Sequence, residues 1–288
     1  MRDPHAPQHR AWLFVPGAAE RFVAKLPASG AHAAILDLED GLDPAERTAA
    51  HARVAALVAE PRPDLPALYV RPAAVGAPSF LDDVAAGCGP GTVGFVLPKV
   101  ADVDGLRFAV DAIDRAWGAP GARPGVVAMV ESARGLANAS ALLTASERVL
   151  GVSLGVEDLC ADLGVPPLAD PAARAALDND ARRRLVFAAA AAGVVVRVDG
   201  PSMALDDVAG LEEEAARLRG GAWTGRMCVH PRQVAPTLAG FRPSPEAVAW
   251  AEAVLAAPDG GAVRVGATMV DAPVRAQARG VVEEAGRG

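Results

Sequence analysis

Short apolar runs alternate with longer amphipathic stretches along most of this chain. The runs fall at residues 11–15, 33–38, 67–70, 93–97, 127–130, 149–154, 194–198 and 226–229. Each is four to six residues long and almost continuously apolar, the pattern of strands buried on both faces of a parallel sheet. Helical patterns occupy the intervals: around 18–26, from 44 onward behind an Asp43-Pro44 start signal, and at 102–117, 133–144, 178–192 and 206–218. Asp43 suits the N-cap and Pro44 the first helical position. Eight strand–helix units over about 230 residues predict an α/β chain folded as a (β/α)8 TIM barrel rather than an open sheet. No Gly-x-Gly-x-x-Gly follows the first strand and there is no P-loop, so the nucleotide-binding α/β folds lack their main sequence support.

The ends of the chain do not follow this alternation. Residues 1–10 are polar and rich in Pro and His, and read as a loose arm ahead of a catalytic barrel over 11–232. Beyond His230-Pro231 the chain becomes a helical extension over 233–288. It has a helix near 245–256, a Gly-rich break at 259–266 and a last helix after Met269-Val270-Asp271-Ala272-Pro273. Barrel closure does not require these residues, so they are expected to form a lid or an oligomer arm.

Composition narrows the function classes. A net charge of −7 argues against a general nucleic-acid binder, which needs a basic face. No apolar stretch approaches a membrane span, and the first ten residues have no signal-like apolar core. Cys88, Cys160 and Cys228 are widely spaced and match no metal or redox motif, as expected of reduced thiols in a cytoplasmic protein. Of 28 basic residues only Lys25 and Lys99 are lysines, a bias that coding composition explains.

The candidate chemistry sits where the apolar runs stop. Asp37, Glu39 and Asp40 close the second run, Arg71 the third and Lys99 the fourth. Glu131 closes the fifth, Glu157 and Asp158 follow the sixth, and His230 follows the last. Any one of these could merely cap the next helix, but together they would ring the carboxyl end of a barrel, where such folds keep their sites. Glu131 and Asp158 suit a hard cation bound by two carboxylates with positions left for water and substrate, the habit of Mg2+, with Mn2+ as a substitute. Asp37, Glu39 and Asp40 could hold the metal's waters, and Arg71 could grip a substrate carboxylate or enolate oxygen. No His or Cys cluster accompanies the acids, which points away from zinc. These parts suit metal-assisted making or breaking of a carbon–carbon bond through an enolate.

Several segments together carry a resemblance. They are Trp12-Leu13-Phe14-Val15-Pro16-Gly17, Leu36-Asp37-Leu38-Glu39-Asp40-Gly41, Val130-Glu131-Ser132-Ala133-Arg134-Gly135, Gly155-Val156-Glu157-Asp158 with the residues to Gly164, and Gly225-Arg226-Met227-Cys228-Val229-His230-Pro231. In this order the chain resembles the citrate lyase beta-subunit-like and malyl-CoA lyase group of CoA-ester lyases, within the HpcH/HpaI aldolase/citrate lyase family. The resemblance implies Glu131 and Asp158 as Mg2+ ligands, Glu131 also facing the substrate, and Phe14 and Arg71 as substrate-binding residues. It implies that Arg21 and Lys25, four residues apart on one helical face, meet CoA phosphates or substrate near the mouth. Met269-Val270-Asp271-Ala272-Pro273 is similar to the family's Met-Ile-Asp-x-Pro element, whose aspartate serves as acid/base group in a neighbouring subunit. That makes Asp271 catalytic alongside Arg71, and the chain a homo-oligomer, a trimer or hexamer.

The expected activity is cleavage or formation of a 3-hydroxyacyl-CoA such as malyl-, citramalyl- or citryl-CoA. Thioester hydrolysis on the same site, with Asp271 activating water, is a close variant. An aldolase acting on free 2-oxo acids is a third reading, but Asp40 stands where those relatives carry histidine. A subunit dependent on an acyl-carrier protein is the fourth. Two departures from the family pattern bear on substrate preference: Pro72-Ala73-Ala74 follows Arg71 in place of a Val/Ile-Asn pair, and Arg226 stands where lysine is common.

Overall fold

A computed structural model describes residues 9–40, 42–118, 123–166, 168–203, 205, 207–258, 263–266 and 268–286. Eight strands form a closed barrel in chain order: β1 Ala11–Pro16, β2 Ala33–Asp37, β3 Ala67–Arg71, β4 Thr92–Leu97, β5 Gly125–Val130, β6 Val149–Leu154, β7 Val196–Asp199 and β8 Gly225–Cys228. All neighbours are parallel, and β8 pairs with β1 to close the ring. The TIM barrel read from the apolar runs is the fold of this chain.

Strand parity sorts every residue. Trp12, Ile35, Tyr69, Val96, Met129, Val198 and Met227 fill the lumen as one cluster. Their neighbours Leu13, Leu36, Val70, Leu97, Val130 and Cys228 face outward into a larger cluster under the helices. Both sets are buried, which is why the runs read as continuously apolar; each fully buried side chain of this size contributes about 1.5–3 kcal/mol. Gly94 makes room for the lumen aromatics, since a Cβ there would lie 2.7 Å from the Tyr69 ring. At the floor Trp12 and Tyr69 pack with ring centroids 4.5 Å apart, and Trp12 Nε1 donates to the His9 carbonyl at 2.7 Å.

Residues 1–8 of the expected arm lie outside the described residues, and the rest of it is not loose. Arg10 is buried, its backbone N–H donates to His32 Nδ1, and burial, with His32 nearby, pushes the His9 imidazole down to about 4. Several helices differ from their sequence patterns. The stretch at 18–26 is a single turn, Glu20–Val23, followed by a 3-10 turn, Leu26–Ala28. The 44-onward stretch opens as a 3-10 turn capped by Asp43, whose Oδ1 accepts from Ala45 N at 2.9 Å, and continues as Arg47–Val58. Phe80–Gly87 is a helix the pattern does not announce, because its buried face carries Asp83 between Phe80 and Val84.

The extension adds the helix Pro245–Ala256, an antiparallel hairpin of β9 Val263–Val265 and β10 Thr268–Val270, and the helix Ala272–Ala285. It has its own small core of Ala251, Val254, Val270 and Ala278. Arg219 Nη2 meets Glu284 at 2.8 Å, and Arg10 donates to the Glu284 carbonyl. Both arginines precede barrel strands, so the last turn of the extension is pinned to the floor, opposite the strand ends. Among the described residues no helix is long and apolar enough to cross a membrane.

Candidate active site

The lumen parity continues past the strand ends and decides what faces the mouth. Two residues beyond Trp12, Ile35, Tyr69, Met129, Val198 and Met227 come Phe14, Asp37, Arg71, Glu131, Gly200 and Val229. All six line a cavity of about 490 Å3 at the carboxyl ends of the strands, together with Asp40, Gly155, Glu157, Asp158 and Met203. A side-chain period of two in strands is enough to place them. Asp158 arrives differently, in the first turn of the helix Val156–Asp162 that starts as soon as β6 ends.

Charges alternate around this mouth. Asp37 and Arg71 are register partners on β2 and β3, and Arg71 Nε and Nη2 donate to Asp37 Oδ1 and Oδ2 at 2.7 and 2.8 Å. The third corner of the fork, Nη1, lies 3.0 Å from Glu39 Oε2, and the guanidinium carbon lies 4.6 Å from the centre of the Phe14 ring. Lys99 Nζ lies 3.0 Å from Glu39 Oε1 and 3.1 Å from Asp40 Oδ2. Burial works against the charge of Arg71, but the Asp37 hydrogen bonds, with Glu39 and Glu131 nearby, hold it more firmly protonated than usual. Burial raises Glu39, and Arg71 and Lys99 counter part of that rise.

Glu131 is 4% exposed. Its Oε2 accepts from the Lys99 backbone N–H at 2.7 Å, and burial, with Glu39 and Asp158 nearby, pushes its carboxyl up to about 7. Burial is the larger cause, and Arg71, already held by Asp37 and Glu39, offsets only part of it. Glu131 fits beside β6 only because residue 155 is glycine: a Cβ there would lie 2.5 Å from Oε1. Among the described residues no three His, Cys, Asp or Glu side chains converge as a ready cage. Two carboxylates, one of them deprived of countercharge and the other exposed, suit a cation that keeps most of its waters, as Mg2+ does.

The remaining sequence candidates lie elsewhere. Arg21 and Lys25 are exposed on the turn after β1 and do not line the cavity; Arg21 stacks on Phe22 at 4.7 Å. Asp271 caps the last helix, accepting from Val274 N at 3.2 Å, and no residue of the extension lines its own chain's cavity among the described residues. His230 is a cap as well: its Nδ1 accepts from Arg232 N, and the Gln233 side chain accepts from Val229 N. Glu157 lines the cavity rim but is 3.1 Å from Arg174. Arg226 is buried and faces outward, 2.9 Å from Glu214.

Sequence reasoning misses a support beneath the mouth. Asp83 is fully buried and accepts from Arg47 Nη1 at 2.9 Å and from Ala73 N at 2.9 Å, and it lies 2.6 Å from His51 Nε2. Arg47 also donates to the Leu38 carbonyl at 2.9 Å. One carboxylate thus ties the segment after β2 to the segment after β3, the two that carry Glu39 and follow Arg71. The signal for it is the i, i+4 pair Arg47 and His51, two potential cations on one helix face that call for a buried anion.

Comparison with known proteins agrees with this geometry. The family model for HpcH/HpaI aldolase/citrate lyase matches residues 10–231. A citrate lyase subunit beta-like protein of Mycobacterium tuberculosis is 33% identical over 279 residues, covering 96% of this chain and 95% of the relative. An L-malyl-CoA/beta-methylmalyl-CoA lyase of Cereibacter sphaeroides is 29% identical, covering 98% and 96%. The crystal structure of CitE from Mycobacterium tuberculosis in complex with magnesium, acetoacetate and coenzyme A superposes with a TM-score of 0.78 at 30% identity, covering 96% of this chain and 98% of that one. With the barrel, the ring of strand-end charges and this similarity over nearly the whole length, the chain belongs to the HpcH/HpaI aldolase/citrate lyase family.

Proposed function

We propose that this protein is a Mg2+-dependent carbon–carbon lyase that cleaves, or forms, a 3-hydroxyacyl-CoA of the malyl-, citramalyl- or citryl-CoA type through an enolate. The observation that carries the reading is Glu131: a buried carboxyl pushed up to about 7 at the mouth, beside Asp158 and across from a tied arginine. Such a group is poised to exchange its proton for a metal. The magnesium and coenzyme A in the M. tuberculosis CitE complex, and the lyase activity named for the C. sphaeroides relative, support the same assignment here.

Glu131 and Asp158 are the residues that would hold the ion, with Asp37, Glu39 and Asp40 orienting its waters. When bound, Mg2+ supplies a Lewis acid for the oxygens of the 2-oxo acid part of the substrate. In the cleavage direction the 3-hydroxyl would give its proton to the Asp271 carboxylate of a neighbouring copy, the C2–C3 bond would break as the C3–O bond becomes a carbonyl, and the C2–C3 electrons would pass to the thioester carbonyl as an enolate. Arg71, held by Asp37 and backed by Phe14, presents fixed positive charge to the carboxylate or enolate oxygen. Asp271 of a neighbouring copy then returns a proton to C2, giving the acetyl-type CoA ester and a 2-oxo acid. The position of Asp271, capping a helix and outside its own cavity, supports a site shared between copies, a trimer or hexamer. In this scheme residues 11–232 are the catalytic barrel and 233–288 the arm that reaches a neighbour. Arg21 and Lys25 remain candidates for the CoA phosphates, since both are exposed on the segment that follows β1. The free thiols of Cys88, Cys160 and Cys228 support a cytoplasmic setting.

Incubating the purified chain with malyl-, citramalyl- and citryl-CoA, with Mg2+ and with EDTA, tests the reading. A 2-oxo acid and a shortened CoA ester are expected with Mg2+ alone. Release of free CoA and the intact hydroxy acid would instead identify a thioesterase, and turnover only with an acyl-carrier protein would identify a carrier-dependent subunit. Mixing Asp271→Asn with Glu131→Ala subunits should restore activity neither has alone; no recovery after verified subunit exchange rules out the shared site.

A further inference from the structure

Lys99 lies two residues past Leu97, the last residue of β4, with a φ of 52°. That is the left-handed region, which any side chain with a Cβ resists and glycine or asparagine normally fills. Strain of this kind persists only where the surroundings impose it, and it gathers at functional sites. At Lys99 the conformation serves two sets of contacts at once. The β4–β5 ladder ends at Leu97 and Ala128, and the next sheet-like bond runs from Val100 N to the Met129 carbonyl. Between them the Lys99 N–H is freed from the sheet and donates to Glu131 Oε2 at 2.7 Å. The same residue sends its ammonium across the mouth to Glu39 at 3.0 Å and Asp40 at 3.1 Å.

The side chain also suits this place better than the residue that dominates the chain's basic complement. An ammonium is a compact charge with three rotatable donors and can serve carboxylates from two residues, whereas a guanidinium fork is shaped for one. Lys99 does the former, whereas Arg71 sets its bidentate edge on Asp37 and has only Nη1 left for Glu39.

We propose that Lys99 is a positioning residue with two separable parts: its backbone N–H fixes the Glu131 carboxylate for the metal, and its ammonium shares Glu39 with Arg71 and balances Asp40, so that the mouth stays receptive to an anionic substrate. The first part rests on Glu131 being a metal ligand. Without the ammonium, Arg71 is the only cation left to balance both Asp37 and Glu39, and Asp40 adds an unbalanced negative charge to a cavity meant for an anionic acyl group.

Two variants separate the parts. Lys99→Gly accepts the left-handed backbone and keeps the N–H but lacks the ammonium; Lys99→Val lacks the ammonium and is β-branched, so it resists that backbone. Binding of Mn2+ to substrate-free protein, followed by loss of the free-ion electron paramagnetic resonance signal, reads the first part. Lys99→Gly should stay within about threefold of the parent, and Lys99→Val should weaken binding by about 10- to 100-fold, as loss of a metal's outer contacts does. Equal weakening in both variants, or parent-like binding by a folded Lys99→Val, overturns the backbone role. If Lys99→Val does not fold by circular dichroism, Lys99→Gly alone decides, because a large loss there is incompatible with a backbone role. No Mn2+ binding by the parent would bring down the metal reading of Glu131 and this part with it, which is a different failure. For the second part, Lys99→Gly should raise KM for the CoA ester about tenfold with kcat much less affected, which a general loss of folded protein does not do. An unchanged KM overturns it.

Discussion

Two acid–arginine clusters end strands of this barrel, and in only one of them does the strand-end acid itself line a cavity. Asp37 on β2 and Asp199 on β7 are both last residues of their strands, both nearly inaccessible at 3% and 0% exposure, and both held by an arginine through two hydrogen bonds. Each also has an arginine as register partner on the next strand, Arg71 for Asp37 and Arg226 for Asp199. The difference is one step of parity. Asp37 follows Ile35 on the lumen face and opens into the mouth. Asp199 follows the lumen residue Val198 and so turns outward beneath the helices, where Arg182 of the Pro171–Ala191 helix and Glu214 of the Val208–Gly220 helix complete the network and line a separate cavity of about 390 Å3. The first cluster leaves an arginine at the edge of a space a ligand can enter. The second has its charges consumed by the protein itself. Residue type and burial alone do not distinguish a site from a strut; the face of the strand does.

The sharpest break of this contrast is at Glu131. Glu131→Ala should lower Mg2+-dependent turnover by on the order of 10³-fold or more, since a lost metal ligand removes several kcal/mol of transition-state stabilisation. Its melting temperature should hold or rise, because the parent buries a carboxyl short of countercharge. Full activity would remove the metal assignment.

The Asp199 strut should behave in the opposite way. Asp199→Ala takes from Arg182 its two-bond partner and leaves Arg182 and Arg226 to share Glu214, and should cost about 3–5 kcal/mol in urea unfolding, with activity per folded molecule nearly unchanged. Asp37→Ala should do the reverse, lowering kcat/KM by about 100-fold through a misplaced Arg71 while Glu39 and cavity water limit the loss of stability. A matched outcome for the two variants would dissolve the distinction between site and strut.

Gly155→Ala is a smaller intervention on the same carboxylate. The added methyl would press on Glu131 Oε1 and should weaken Mg2+ binding by about tenfold in calorimetry, with the fold intact.

The pH dependence follows from the shift at Glu131. Its folded-state value, about 7, is above the ordinary 4.5, so the metal-free folded protein holds this proton more tightly than the unfolded chain does. Stability from this group is therefore greatest below about 4.5, declines on the order of 3 kcal/mol as pH rises to about 7, and is flat above. Glu131→Gln should abolish that decline in unfolding measured across the interval. Metal binding runs the other way: the ion needs the carboxylate, so apparent Mg2+ affinity should fall about tenfold per pH unit below 7. A pH-independent affinity between 5 and 7 would contradict the shift.

Much of the fold and part of the site are legible in the residues alone. Continuous apolar runs such as Val127-Val130 require burial on both faces, and eight of them separated by helices leave little but a parallel barrel. Period-two alternation then carries Phe14, Asp37, Arg71 and Glu131 to the lumen side of the mouth once the strands are known. What stays hidden is long-range. Asp83 sits in a helix that its own charge disguises, and its partner Arg47 lies on the far side of β3 in the chain. His230 has the residue type and strand-end position of a site residue, but hydrogen bonds to Arg232 and Gln233 make it a cap. Lys99 is visible as a strand-end cation, but not its left-handed backbone, which no side-chain pattern encodes.

The sequence by itself thus determined the barrel, the end of it that carries charge, and the acids and arginine gathered there, because periodicity and burial are local consequences of residue type. Only the tertiary structure decided which charges are already spent. Asp199, Arg226 and Asp83 are spent on the protein, and Asp37 and Glu39 on Arg71. Glu131 is left buried with too little positive charge around it. Electrostatic need is a property of neighbours brought together by folding, so it appears only when the chain is closed into three dimensions.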